Sequence, residues 1–178
     1  MLRKSGRQHT DGPLLMYPGL AVERRGGHAH RLSWAAPEFA DDDHARAWVI
    51  EQVTAAIDAT VAATGVTAPV VIGKSLASLS APVVADRGLT AIWLTPILTD
   101  EPVVSALRAA QGPCLLVGGT ADQSWDGRTA RLVTPDVLEV EDADHGMLVP
   151  GVLSASAMIL GQVIRAVEDF LDRVAWRA

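Results

Sequence analysis

A short apolar run that ends in a glycine and a serine constrains the fold of this chain more than any other feature. Val70–Ile72 is apolar and β-branched, which favours a buried strand, and Gly73 ends the run. Ser75 follows two residues later, and the small residues Ala77 and Ser78 then suit the start of a helix. The pattern G-x-S-x-A therefore predicts a sharp strand-to-helix turn that holds a serine hydroxyl above the end of the strand.

The same residues allow a second interpretation, a phosphate-binding P-loop. Gly73-Lys74-Ser75 matches the end of the pattern G-x-x-x-x-G-K-[ST]. The first glycine of that pattern would stand at position 68, which is Ala68. Residues 69–72 have the composition of a strand rather than of a loop whose amides wrap a phosphate. The P-loop is therefore the weaker interpretation.

An aspartate and a histidine follow the serine, each just past a strand-like run. Asp122 comes after Cys114–Val117 and two glycines, and His145 comes after Val137–Val140. Alone, Asp122 could be a turn or helix-capping residue, and a lone histidine is usually a surface residue. The order Ser75, Asp122, His145, with every member at a strand end, is instead one of the known orders of a catalytic triad.

Two other acids compete with Asp122 for the place beside His145. Asp100 follows the preceding strand-like run and is the second choice, and Asp126 is a weaker third. The expected criterion is geometric, because one carboxylate should lie within ~3 Å of a ring nitrogen of the histidine.

Lys74 is one of only two lysines in a chain that otherwise uses arginine, and it directly precedes Ser75. A solvated residue of no consequence is one interpretation, since surface charges contribute little to stability. The sharper hypothesis is that Lys74 is at least half buried and within ~4 Å of a carboxylate such as Asp100 or Glu101.

Strand-like runs alternate with helix-like runs, which favours an α/β fold with a mostly parallel six-stranded sheet and helices on both faces. The expected strands are Leu14–Tyr17, Arg31–Trp34, Val70–Ile72, Ala91–Leu94, Cys114–Val117 and Val137–Val140. A long helix should run from about His44 to Ala63, with aspartates at its start and Gly65 at its end. We expect a flexible tail over residues 1–12 and a single domain over residues 13–178, without a lid domain.

Charge and composition exclude several functional classes. The chain has 21 Asp plus Glu against 15 Lys plus Arg, and this net charge of −6 argues against nucleic acid and anionic membranes as partners. No apolar run approaches the ~20 residues of a membrane span, and Leu14–Tyr17 is too short to be the core of a signal peptide. Cys114 is the single cysteine, so we expect no internal disulfide and a cytoplasmic location. No Cys/His cluster and no G-x-G-x-x-G pattern occur, so no metal and no cofactor are expected.

Three segments together carry a resemblance to a known family. With Gly73–Ala77, Gly118–Asp122 and Asp144–Gly146, the chain resembles a small α/β-hydrolase from Pro13 onward. Its elbow is similar to the G-K-S-M-G-type elbow of compact bacterial hydrolases that are grouped near dienelactone hydrolases. The chain departs from that pattern at Ala77, where a second glycine is usual, and at Tyr17-Pro18, where many relatives carry His-Gly-type chemistry.

The resemblance implies a minimal α/β-hydrolase core and a serine hydrolase of the carboxylester type. Its partner would be a small-molecule acyl substrate, namely an ester, thioester or amide cleaved through an acyl-enzyme. Ser75 would be the nucleophile, His145 the general base and Asp122 the residue that orients the histidine. The backbone N–H groups of Leu76 and Leu20 would form the oxyanion hole.

The pocket and the activity itself are less constrained by the sequence. Tyr17, Trp125 and Met147 flank the expected site and could line a substrate pocket, although ordinary packing is the favoured role for each residue taken alone. A catalytically silent binding or interaction protein of the same fold remains the alternative function, because a fold does not imply an activity. The oligomeric state stays open.

Overall fold

The computed structural model of this chain describes residues 7, 8 and 12–176. The tail predicted over residues 1–12 therefore lies outside the described residues, except for Arg7, Gln8 and Gly12. The strands are β1 (Arg7–Gln8), β2 (Trp34–Ala35), β3 (Val71–Lys74), β4 (Ala91–Leu94), β5 (Cys114–Gly119) and β6 (Val137–Val140). The α-helices are α1 (Pro13–Arg24), α2 (Asp42–Thr64), α3 (Ala81–Asp86), α4 (Glu101–Ala109), α5 (Gly127–Val133) and α6 (Leu153–Val174). A 3-10 helix, Ser75–Ser80, joins β3 directly to α3.

The main sheet has four parallel strands in the order β3-β4-β5-β6. Every residue of β4 and β5 is buried, as expected for strands that are covered on both faces. Gly73 of β3 pairs in register with Trp93 of β4, which places the carboxyl end of β3 beside that tryptophan. The prediction of an α/β fold with a parallel sheet is confirmed, but the predicted number of six strands is wrong.

The two strands missing from the sheet are the two that the sequence placed first. Leu14–Tyr17 lies inside α1, where Pro13 starts the helix and Ala21 and Val22 continue its buried face. A short apolar run cannot be distinguished from a buried helix face by its pattern alone. Of Arg31–Trp34, only Trp34 is in a strand, and β2 pairs antiparallel with β1 rather than with the main sheet.

Helices cover both faces of the sheet. On one face α2, the 3-10 helix, α3 and α4 pack over side chains such as Trp93 and Leu116. On the other face α1 and α6 pack over Ile92, Leu115 and Val117, the alternate positions of the same strands. The site described below lies at the carboxyl ends of the strands, between these two layers.

The long helix α2 agrees with its prediction to within two residues at the start and one at the end. The Asp41 carboxylate accepts a hydrogen bond from the His44 N–H at 2.9 Å and so caps the helix. Gly65 ends it with φ of 71°, a backbone conformation that glycine adopts without strain. In the described part of the chain, no helix has both the length and the apolar composition needed to cross a bilayer.

Candidate active site

Ser75 lies at the tight turn where β3 passes into the 3-10 helix. Its φ is 52°, in the left-handed region that side chains other than glycine rarely adopt. A β-carbon added at Gly73 would lie 2.6 Å from the Trp93 ring and 3.1 Å from Ala77 Cβ. The turn therefore needs a glycine at position 73 and a small residue at position 77, and this explains the G-x-S-x-A pattern.

A buried serine holds the turn in place. Ser78 Oγ donates to the Ser75 carbonyl at 2.7 Å and accepts from the Ile97 N–H at 3.0 Å. Because Ile97 belongs to the segment that follows β4, these two bonds fix the turn to the neighbouring strand. A strained residue persists only where its surroundings constrain it in this way.

The histidine and the aspartate predicted from the sequence meet at Ser75. His145 Nε2 lies 2.7 Å from Ser75 Oγ, and His145 Nδ1 lies 2.8 Å from Asp122 Oδ2. Asp122 is only 6% exposed, and its other carboxylate oxygen accepts from the Ser124 N–H at 2.9 Å. A charged aspartate favours the tautomer with the proton on Nδ1, which leaves Nε2 free to accept the serine proton.

The loop that carries His145 is ordered by its own side chains. Asp144 Oδ1 accepts from the backbone N–H groups of Gly146 at 2.7 Å and Leu148 at 2.9 Å. Met147 anchors the loop in the core at 2% exposure. The His145 side chain remains 42% exposed, so a substrate can reach it from solvent.

The two other acids that the sequence offered have structural roles elsewhere. Asp100 forms a two-bond ion pair with Arg46, at 2.7 and 3.2 Å, and also accepts from the Val103 N–H at the start of α4. Asp126 accepts from backbone N–H groups at the start of α5. Of the three acids, Asp122 is the one that contacts His145.

Lys74 is more than half buried, as the hypothesis required, but its partner is not a carboxylate. Lys74 Nζ donates to the His145 backbone carbonyl at 3.2 Å. Within the described residues no Asp or Glu oxygen lies within 4.0 Å of it, so the expected ion pair with Asp100 or Glu101 is wrong. Asp100 is unavailable because Arg46 occupies it. Burial lowers the pKa of Lys74, and the negative charges of Asp122 and Asp144 partly offset that effect.

Of the two backbone N–H groups expected at an oxyanion hole, one is available to a substrate and the other is not. Leu76 lies in the first turn of the 3-10 helix, where its N–H has no acceptor within the helix and stands next to Ser75. Leu20 instead lies in the interior of α1, where a backbone N–H bonds to the carbonyl four residues earlier. The expectation that Leu20 supplies the second donor is wrong, because the strand and loop predicted there form a helix.

The three residues expected to line a pocket have different surroundings. Trp125 is buried against Gly118 and donates its ring N–H to Glu139 at 2.7 Å. Met147 belongs to the core, and Tyr17 is a 39% exposed residue of α1. The described residues also contain no cluster of three His, Cys, Asp or Glu side chains that could hold a metal ion.

A cavity that the sequence did not reveal lies beside the turn. It has a volume of about 730 Å³, and Gly73, Lys74 and Ala77 are among the residues that line it. None of Tyr17, Trp125 and Met147 lines it. No sequence signal marks this cavity, because it exists only where the expected leading strands are absent from the sheet.

Comparison with known proteins bears on the fold. No protein-family model matches the chain, and no curated protein matches it. A Xanthomonas campestris protein described as an α/β serine hydrolase without a lid is 14% identical, with a TM-score of 0.60, over 91% of this chain and 75% of that one. Another, from Xanthomonas campestris pv. campestris and described as a candidate hydrolase of the α/β superfamily, is 19% identical, with a TM-score of 0.58, over 92% of each chain. The chain therefore has a small α/β-hydrolase fold.

Proposed function

We propose that this chain is a serine hydrolase that cleaves a small ester, thioester or amide through an acyl-enzyme on Ser75. One observation carries the proposal: a single imidazole bridges the Ser75 hydroxyl at 2.7 Å and the buried Asp122 carboxylate at 2.8 Å. The fold alone would not support it, since one fold serves many functions.

The reaction proceeds in two halves. Ser75 Oγ attacks the acyl carbon while His145 Nε2 takes its proton, and Asp122 stabilises the imidazolium that results. The imidazolium then gives that proton to the leaving group as the bond to the acyl carbon breaks. Water attacks the acyl-enzyme with His145 again as base, and the proton returns to Ser75 as the acid is released.

The developing oxyanion is stabilised on one side by Leu76. Its N–H directly follows the nucleophile and has no acceptor in the 3-10 helix, so it is available to the substrate oxygen. The ring of His145 is about half exposed, and the sequence predicts no lid domain. Both features favour substrates whose scissile bond is accessible from solvent. A simple carboxylester is the substrate that fits best, and the mechanism needs no metal or cofactor.

A second candidate function is a catalytically silent binding protein with the same fold. The observation that favours it is Leu20, whose N–H lies within α1 and leaves Leu76 as the one donor assigned to the oxyanion. Removal of one oxyanion donor costs a factor of about 10²–10³ in kcat in another serine hydrolase.

A fluorophosphonate probe and hydrolysis of p-nitrophenyl acetate distinguish the two functions. We expect the wild-type chain to be labelled and active, and Ser75→Ala to lose both properties while keeping its melting temperature. Ser154→Ala, which removes an exposed serine on α6, is the matched control and should behave like the wild type. Failure of the wild type to label would favour the silent protein, and labelling of Ser75→Ala would overturn the assignment of the nucleophile.

A further inference from the structure

The cavity beside the turn surrounds the free edge of the sheet. It is bounded by α1 on one face, through residues such as Val22, and by α2 on the other, through Val53 and Ile57. Its volume of about 730 Å³ falls within the roughly 300–1,000 Å³ of small-molecule sites. The walls are mostly apolar, as they are in such sites.

Among the described strands, none lies beside β3 on the cavity side. Val71 N–H donates to the Thr90 carbonyl, so the residues of β3 that face β4 are the odd-numbered ones. In a parallel ladder the alternate residue, Ile72, directs its N–H and C=O to the opposite edge. Ile72 also lines the cavity, which therefore combines apolar walls with backbone polar groups.

The charged residues of the cavity have one sign. Lys74 and Arg31 line it, together with His28 and His30, and no Asp or Glu among the described residues does. This composition is unusual for a chain whose 21 acids outnumber its 15 Lys plus Arg. Arg31 has a partner in Glu23 at 3.3 Å, whereas the hydrogen-bond partner of the Lys74 ammonium within the described part of the chain is the His145 carbonyl. Asp122 and Asp144 act on the Lys74 ammonium only from beyond ion-pair distance, so an anionic group at Lys74 would add a direct counter-charge.

We propose that this cavity binds an amphipathic monocarboxylate, with its carboxylate on Lys74 and its medium-length alkyl chain between α1 and α2. The apolar walls fit the alkyl chain, and the ammonium of Lys74 fits the head group. A paired β-strand from a second copy of the chain is the competing occupant, but its backbone brings no negative charge to Lys74. The site is separate from the serine chemistry, because Ser75 does not line the cavity.

Tryptophan fluorescence reports binding directly. Trp34, Trp93 and Trp176 line the cavity, while the other two of the five tryptophans do not. We expect 10-bromodecanoate to quench the fluorescence, and calorimetry to give decanoate a Kd at least tenfold lower than that of 1-decanol. Both titrations use the full chain, at concentrations where the ligands do not form micelles. Equal binding of the acid and the alcohol would overturn the proposal.

Two matched pairs of variants locate the site. Ala56→Phe fills the cavity from α2 and should raise the Kd for decanoate at least tenfold, whereas Ala63→Phe, on an exposed part of the same helix, should not. Lys74→Met should remove the preference for the acid over the alcohol, and Arg165→Gln, which removes a charge from the surface of α6, should leave it intact. Equal effects within either pair would overturn the proposal, provided that circular dichroism shows both members folded.

Two further measurements separate this site from the others discussed above. Binding of decanoate to protein already labelled at Ser75, or to Ser75→Ala, is expected to be unchanged, and its loss would place the ligand in the active site instead. Sedimentation would reveal pairing of two chains along β3, and a dimer that persists with decanoate bound would overturn the proposal.

Discussion

Ser75 has a strained backbone conformation that costs a serine about 1–3 kcal/mol of conformational free energy. Hydrogen bonds from a neighbouring residue offset this strain. Its φ of 52° is maintained by the two bonds of Ser78, one to Ser75 itself and one to Ile97. The position of the nucleophile therefore depends on a buried hydroxyl three residues away.

Replacement of Ser78 by alanine should loosen the turn. The change leaves the Ile97 N–H without its partner in a buried place, and we expect the free energy of unfolding to fall by about 1–3 kcal/mol. Labelling of Ser75 by the fluorophosphonate should also slow. Ser80→Ala is the control, because Ser80 is equally buried and its hydroxyl bonds to the Ala77 carbonyl, with no second bond to another described residue. Urea denaturation and labelling rates measure both effects, and equal labelling of the two variants would contradict this role of Ser78.

Glycine-to-alanine changes at two positions should change the free energy of unfolding in opposite directions. At Gly73 the new β-carbon meets the Trp93 ring at 2.6 Å, so Gly73→Ala should destabilise the protein and displace the turn. At Gly161, within α6, a β-carbon has no neighbour within 4 Å, and alanine should stabilise the helix by about 0.5–1 kcal/mol. Thermal denaturation of both variants checks the prediction, and a stabilised Gly73→Ala would show that the turn is less tight than described.

At the level of helices and strands, Asp100 has a structural role and Asp122 contacts the candidate catalytic histidine. Asp100 connects α2 to α4 through Arg46 and starts α4, while Asp122 follows β5 and contacts His145. The role of each aspartate follows from the element beside it, because Asp100 caps the start of α4 and Asp122 lies in the loop after β5.

Asparagine substitutions should reveal this division. Asp122→Asn leaves the geometry nearly unchanged but favours the wrong tautomer of His145, and in another serine hydrolase the matching change lowers kcat by about 10⁴. Asp100→Asn should lower the melting temperature by weakening the ion pair with Arg46, with hydrolysis within about twofold of wild type. Steady-state hydrolysis and thermal denaturation separate the two effects. A larger loss of hydrolysis in Asp100→Asn than in Asp122→Asn would reverse the assignment.

The sequence predicted those elements whose boundaries are marked by strong local signals. The helix between Asp41 and Gly65 is placed correctly, because a cap fixes each of its ends. The strand predicted as Val70–Ile72 exists, but β3 runs from Val71 to Lys74 and so passes through the glycine that was expected to end it. The run Leu14–Tyr17 was placed wrongly, since its four residues suit a strand or a helix face and packing against α6 decides between them. The error propagated to Leu20, whose expected loop depended on that strand.

The site shows the same limit. The chain order of Ser75, Asp122 and His145 could be read from strand ends, because parallel strands bring their carboxyl ends to one edge. The partner of Lys74 could not be predicted, since Arg46, far away in sequence, had already engaged Asp100. The cavity exists because the strands expected beside β3 are not part of the described main sheet, and a local sequence pattern cannot predict that.

For the chain as a whole, Cys114 provides a measure of global opening. It lies in β5, and burial raises the pKa of its thiol to about 11. At pH 8 a thiol with that pKa is only about one part in a thousand thiolate, the reactive form. We therefore expect Ellman's reagent to react with the native chain only through opening of the sheet, and to react rapidly in denaturing urea. Rapid reaction without urea would contradict the burial of this strand.

The nucleophile directly follows an outermost strand of the main sheet, and this has a consequence for heat inactivation. Of the described strands, β3 is hydrogen-bonded to β4 alone, whereas β4 and β5 each have two neighbours. Edge elements open in partial fluctuations that need less free energy than global unfolding. Amide hydrogens of β3 should accordingly exchange with solvent sooner than those of Ile92 or Leu116. On warming, the rate of hydrolysis should then fall at temperatures where the amide hydrogens of the central strands are still protected from exchange. The chain should therefore lose its activity before it unfolds.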